Sequence, residues 1–272
     1  MAITATAGPG VGPLVRDWRI RRRRSQLDLA LDAGVSARHL SFVETGRSRP
    51  SPELLLLLAE RLGVPLRERN SLLLAAGYAP RYHQTALDDP AMTQVKATLV
   101  RMLDLHNPYP GLVIDRTWNV VLANEAGMQL AQLLPEELVG PPLNVFRAGL
   151  HPDGMARYTL NFPEWGAYLL GQLERLRLST DDAEVAALFE EVSAYPTVRG
   201  LKSRGNADRG APADLASSLL IPWELLLGDV SVSLFITLTT FGTPQDVTLS
   251  ELAIELYYPA DPESARILAR PR

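Results

Sequence analysis

The chain has 272 residues, 46% hydrophobic and 21% charged, enough for two ordinary domains that each bury a core. It contains no cysteine, which excludes disulfides, thiolate metal sites and a cysteine nucleophile, and a reducing cytoplasm is the expected setting. The net charge of −4 is unevenly spread: residues 1–80 hold twelve Arg, no Lys and seven acids, whereas residues 81–272 carry −9. A basic head on an acidic body is the distribution that phosphate binding by one domain requires.

The opening MAITATAGPGVGP lacks a basic region ahead of an apolar stretch, so it does not read as a signal peptide, and residues 1–13 are expected to be a disordered leader. Its GPGVG follows no strand and is not a nucleotide loop. Helices are predicted over Leu14–Arg24 and Gln26–Ala33, the second ended by Gly34. Ser36 caps a third that runs to about Thr45, with Gly46 in the left-handed position beyond it. Ser51 caps a fourth, with Pro52 in its first turn and Leu54, Leu55, Leu58, Ala59 and Leu62 buried. A fifth spans Leu66–Ala76, stopped by Gly77 and Pro80. Residues 14–80 therefore read as an all-α domain of five helices.

Residues 81–91 form a polar connector, and residues 92–272 read differently. A helix over Met92–Asp104 precedes a hairpin of Gly111–Asp115 and Trp118–Ala123, turned at Arg116 and Thr117. Helices follow at Glu125–Leu133, Glu164–Leu178 and Asp181–Ala194, and Pro196–Pro212 is expected to be an exposed loop. Asp229–Phe241 alternates with period two, Val230, Val232, Leu234, Ile236 and Leu238 sharing one face. Thr248–Tyr258 alternates again, with Leu252, Ile254, Leu256 and Tyr258 on one face, and Asp261 with Pro262 starts a last helix. The order predicts an α+β domain with an antiparallel sheet and helices on one face. No apolar run approaches the ~20 residues of a membrane helix, so no membrane partner is expected.

Gln26 to Glu44, QLDLALDAGVSARHLSFVE, has helix-turn-helix grammar. Ala30 is small where two helices must cross, and Gly34 takes the left-handed turn without a Cβ clash. Leu29, Ala33, Val35, Leu40 and Val43 fill the seam, leaving Ala37, Arg38, His39, Ser41 and Phe42 facing out. An ordinary helical hairpin would share this packing. The arginines from Arg21 to Arg24 suit either a solvated helix end or phosphate contact.

Arg19 and Arg22, Ser25 with Gln26, Leu29 with Ala30, the Gly34–Val35–Ser36 turn, Glu44–Thr45–Gly46 and RSRPS from Arg47 make this segment resemble the Xre family of phage-repressor helix-turn-helix domains. The resemblance implies that the third helix enters the major groove of a double-stranded DNA operator. Ala37, Arg38 and Phe42 would then face bases, with Arg38 forking to guanine for ~1–3 kcal/mol of discrimination. Ser25, Gln26, Arg47 and Arg49 would hold phosphate, His39 would touch the backbone, and Ser36 and Ser41 complete the contact set. Arg19 and Glu44 match a structural ion pair. A homodimer on half-sites about 10 bp apart is implied.

The second half is similar to MmyB-like regulators, whose PAS-like ligand-binding domain follows an Xre domain. The carrying stretches are HNPYPGLVIDRTWNVVLAN (His106–Asn124), NVFRAGLHP (Asn144–Pro152), FGTPQDV (Phe241–Val247) and ELAIELYYPAD (Glu251–Asp261). The resemblance implies a small-molecule sensor with a pocket between sheet and helices. The expected lining is Val113, Trp118, Val120, Phe146, Trp165, Leu169, Phe189, Val232 and Leu234, residues that could equally form core alone. Such walls suit a long apolar ligand such as a fatty acid, and Arg147, Arg157 or Arg199 would meet its carboxylate.

No other cofactor is expected. The four histidines, His39, His83, His106 and His151, lie far apart without metal-ligand or haem spacing. Neither a GxSxG elbow nor a phosphate-binding loop is present. The leading expectation is a ligand-responsive transcription regulator that is not an enzyme. The alternatives are an enzyme with an autoregulatory helix-turn-helix and an α domain used for protein contacts.

Overall fold

Serine hydroxyls open three of the first four helices. Ser25, Ser36 and Ser51 accept from the backbone N–H of Asp28, His39 and Leu54, satisfying donors that a helix start leaves free. The computed structural model, which describes residues 10–140, 142–180, 182–207 and 220–269, divides into two units. Residues 1–86 and 242–250 form the first, and residues 87–241 and 251–272 the second.

The first unit holds α1 (Val11–Arg21), α2 (Gln26–Asp32), α3 (Ala37–Glu44), α4 (Pro52–Arg61) and α5 (Leu66–Ala75) around Val15, Trp18, Leu29, Leu40, Leu55, Leu58 and Leu73. Gly34 (φ +65°) and Gly46 (φ +73°) supply the left-handed turns on either side of α3. α1 begins three residues before the predicted Leu14, so residues 11–13 are helix rather than leader, while residues 1–9 lie outside the described residues. Gly12 explains the extension: a Cβ there would come within 2.4 Å of the Val43 carbonyl, so only glycine lets α1 lie this close to α3.

The start of the connector is tied down rather than free. Asn70 on α5 accepts from the N–H of Arg81 and Tyr82 and donates to the Tyr82 carbonyl. Gly242–Ser250 joins the same unit. Val247 N–H donates to the His83 carbonyl at 2.8 Å, and Asp246 accepts from Thr85 N–H and Oγ1 at 3.1 and 2.7 Å.

The second unit runs α6 (Thr93–His106), β1 (Gly111–Ile114), β2 (Val120–Ala123), α7 (Glu125–Ala131), α8 (Glu136–Val139), α9 (Val145–Leu150), α10 (Phe162–Ser179), α11 (Ala183–Ser193) and α12 (Pro196–Ala207). β3 (Trp223–Leu227) and β4 (Val230–Thr240) follow; α13 (Val247–Glu251) lies in the 242–250 stretch, and β5 (Ala253–Pro259) and α14 (Pro262–Leu268) end the chain. The sheet is antiparallel in the order β2-β1-β5-β4-β3, with Val113 opposite Ile254 and Thr237 opposite Leu256. Phe146, Leu150, Trp165, Leu169, Leu173, Leu188 and Leu225 fill its core.

Two predicted elements change, and one strand is new. Residues 196–207, expected as loop, are helix: Pro196 is tolerated in the first turn, and fully buried Val198 anchors it on the core. The rest of that predicted loop, residues 208–212, lies outside the described residues. The strand expected from Thr248 is helix until Glu251, because the Asp246 carboxylate caps Thr248 and Leu249 N–H. β3 was not predicted; its five residues, WELLL, carry Glu224 between Trp223 and Leu225, and it joins β4 through Gly228 (φ +65°).

Candidate functional sites

The outward face of α3 carries Arg38 and Phe42 one turn apart. The Arg38 guanidinium sits 5.4 Å from the centre of the Phe42 ring and that of Arg47 sits 6.0 Å from it, so two exposed cations flank a half-buried aromatic. Ser41 and His39 are half-buried beside them, and Ser36 spends its hydroxyl on the helix start.

Behind this face lies a triad built on buried Glu44, with Arg19 and Gln26 half-buried. Arg19 Nε and Nη2 donate to the two Glu44 carboxylate oxygens at 2.7 and 2.9 Å, and Gln26 Nε2 donates to Oε2 at 2.7 Å. Burial pushes the Glu44 carboxyl up, but the hydrogen bonds from Arg19 and Gln26 outweigh it and hold the group below the usual carboxylate range. The structural ion pair implied by the resemblance is therefore present.

Several expected DNA contacts sit differently. Gln26 is drawn inward to Glu44, so its side-chain amide is not directed at phosphate. Ser25 is exposed, but its hydroxyl closes a capping box with Asp28. Ala37 packs against the core instead of facing out. Arg49 donates to the Gly77 carbonyl at 3.3 Å and stacks on Tyr78, which fastens it to the end of α5. Within the arginine run, Arg22 caps α4 by donating to the Leu62 and Gly63 carbonyls, and Arg24 pairs with Asp32.

The second site is a cavity of about 80 Å³ in the sheet-containing unit. Leu112 of β1, Val120 of β2, Ala131 of α7, Trp165 and Leu169 of α10, and Ile236 of β4 give it carbon walls. Trp165 and Trp223 stack at 5.6 Å, and Trp223 Nε1 donates to Thr159 Oγ1, so that indole N–H is satisfied away from the cavity. Glu255 and Tyr257 of β5 supply polar wall. The Tyr257 hydroxyl donates to Glu255 Oε2 at 3.0 Å; burial raises the Glu255 carboxyl to about 7, and burial beside Glu255 raises the tyrosine well above its ordinary value. Next to the cavity lies a groove of about 600 Å³; Pro110 and Leu130 line both.

Of the expected lining, Val120, Trp165 and Leu169 stand on the cavity wall. Val113 is fully buried one residue out of register, since its neighbour Leu112 takes the cavity side of β1. Trp118 leaves the strand for the turn at φ +64° and stacks on Phe146, 4.6 Å away, which keeps both rings in the core. Val232 and Leu234 are core on the β4 face that reaches the cavity only at Ile236. Phe189 packs under the Arg177 guanidinium. The expected carboxylate partners are elsewhere too: Arg147 is forked to Glu191, Arg157 lies exposed over Tyr158, and exposed Arg199 does not line the cavity.

Glu255 and Tyr257 are absent from the expected lining because the alternation groups Leu252, Ile254, Leu256 and Tyr258 on one face and leaves these two on the other. The lone acid between Ile254 and Leu256 was the available signal.

Residues 95–270 match the family model of the MmyB-like transcription regulator ligand binding domain, and residues 15–69 match a helix-turn-helix model. The chain belongs to the MmyB-like transcription regulators. No curated protein matches it. It is a DNA-binding regulator with a ligand-sensing domain, and both matched models describe domains of that kind. Among the described residues, no helix is long and apolar enough to cross a membrane.

The asparagines of this MmyB-like regulator's motifs hold its sheet unit together. Buried Asn124 accepts from Gly111 and Gly127 N–H and donates to the Leu103 and Tyr109 carbonyls. Buried Asn144 accepts from Phe146 and Arg147 N–H and donates to the Thr117 carbonyl and Asn119. Each therefore spends donors and acceptors on separate pieces of backbone. Two histidines pack within the same unit: the His106 ring bonds the Tyr257 carbonyl at 2.8 Å, and His151 packs edge-on against Tyr195.

Proposed function

We propose that this regulator reads a double-stranded operator as a homodimer, using Arg38 and Phe42 for bases and Arg47 for phosphate. Its PAS-like sheet unit binds a small apolar molecule that adjusts operator affinity. The observation that carries the reading is the cluster of exposed Arg38 and half-buried Phe42 on α3 with exposed Arg47 just beyond its end. Two guanidiniums around an aromatic on an open helix face offer guanine forking, thymine-methyl contact and phosphate attraction together.

The carbon walls of the cavity support an apolar ligand. A fatty-acid tail suits those walls, while its carboxylate meets no arginine among the described lining residues. At about 80 Å³ the cavity holds only a few ligand atoms, so a longer molecule must extend into the adjoining groove.

The test is selection of bound duplexes from a random pool, followed by anisotropy titration of the selected site with wild type and Arg38→Ala, and sedimentation with and without DNA. Recovery of a near-palindrome bound by a dimer supports the reading. A monomer in both states, or no enrichment of any duplex, refutes it.

A further inference from the structure

Every residue that presents a formal charge to the inner cavity or its adjoining groove is an acid. Glu255 stands in the inner cavity, 3% exposed, and Glu125 stands in the groove. No Arg, Lys or His is among the described residues lining either space; the groove's other polar side chains are Asn107, Gln129 and Tyr158. Among the described residues, the one side-chain hydrogen bond that Glu255 receives comes from Tyr257, and it meets one carboxyl oxygen only. Such a carboxyl is poorly compensated: it is removed from water and has no cation beside it among the described residues. A ligand anion placed there would add a second uncompensated charge, whereas a donor would complete the site.

We propose that the ligand is an apolar amine, bound with its nitrogen on the Glu255 carboxyl and its hydrocarbon running past Pro110 and Leu130 into the groove. The dimensions fit this division. The inner cavity takes a nitrogen and a few carbons, and the groove, with Leu133, Leu227 and Ile267 on its walls, takes the rest. The protonated carboxyl suits the role, because an entering neutral amine takes its proton, and the ammonium and carboxylate so formed make an ion pair screened from water. This inference rests on the cavity being the ligand site, as proposed above.

The experiment titrates full-length protein with decylamine, decan-1-ol and decanoic acid, which share one tail. Trp165 and Trp223 line the cavity, so intrinsic tryptophan fluorescence reports occupancy. Decylamine is expected to bind at least tenfold tighter than decanoic acid. Glu255→Gln should weaken the amine at least tenfold and leave the alcohol within about threefold. Tighter binding of the acid than of the amine overturns the amine assignment while keeping the cavity as a ligand site. An amine that binds Glu255→Gln as tightly as wild type is held by surface charge, which also overturns it. If none of the three tails perturbs the tryptophans, both the amine assignment and the cavity itself fail. The comparison of head groups on wild type decides the matter even where Glu255→Gln does not fold.

Discussion

Replacing Glu255 with Gln should make the protein more stable at pH 8 than wild type by a margin that vanishes in acid. A carboxyl raised from 4.5 to about 7 by burial keeps its proton in the folded chain where the unfolded chain has lost it. Its contribution is therefore fully present below pH 4.5 and is lost as pH rises to about 7, above which a bare carboxylate is buried. The shift corresponds to about 3 kcal/mol. Glutamine keeps the acceptor for the Tyr257 hydroxyl and cannot ionise. The difference between variant and wild type should grow by that amount from pH 4.5 to 8, or about 6–12 °C in Tm for a unit of this size. Thermal melts of both proteins at half-unit steps measure it, and taking the difference cancels the other acids. A gap that stays constant across this range refutes the claim that Glu255 is folded away from water without a cation.

Glu44→Ala should destabilise the first unit by about 1–3 kcal/mol in denaturant titration, because it leaves half-buried Arg19 and Gln26 without their shared acceptor. Wild type has the Glu44 contribution in full above about pH 4.5 and loses it as pH falls through the lowered folded value, so its acid melts should be steeper than those of Glu44→Gln. Arg38→Ala should cost about 1–3 kcal/mol on the operator and little on unrelated DNA, read by anisotropy; equal loss on both removes its base-reading role. Arg47→Ala should lower the slope of log affinity against log salt by about 1, and an unchanged slope removes the phosphate contact. Asn124→Ala should cost about 3 kcal/mol in thermal unfolding, since it strands two amides and two carbonyls inside the sheet unit.

The helical unit was legible because its signals are local. A serine followed by a helix start, or a glycine after a helix end, acts through backbone groups within four residues. What the sequence hid there depends on distant partners. The early start of α1 follows from the approach of Gly12 to Val43, and no local rule reports that contact. The same holds for 242–250. Phe241–Val247 was read as a mark of the ligand-binding domain, yet Asp246 and Val247 bind Thr85 and His83 of the first unit. That pairing spans about 160 positions of chain, while the other oxygen of the same Asp246 carboxylate caps the short helix α13 where a strand is expected.

The cavity was harder to see because period-two alternation gives two faces and does not say which of them meets a helix. In β4 the choice was easy: Val232, Leu234 and Ile236 oppose serine, phenylalanine and threonine, and the first set is inner. In β5 both faces are largely buried, Ile254 on one and Glu255 and Tyr257 on the other, so hydrophobicity pointed to the wrong one. An acid in the middle of a strand that packs on both sides has two explanations. Either a cation meets it, as Arg19 meets Glu44, or it is kept for something that arrives later. For Glu255 the described residues offer no such cation: burial and one tyrosine make up its environment, and no positive group is among the described lining residues. A buried acid of this kind costs stability at neutral pH that a glutamine would not, and that cost is the physical reason to look for a ligand nitrogen at this position.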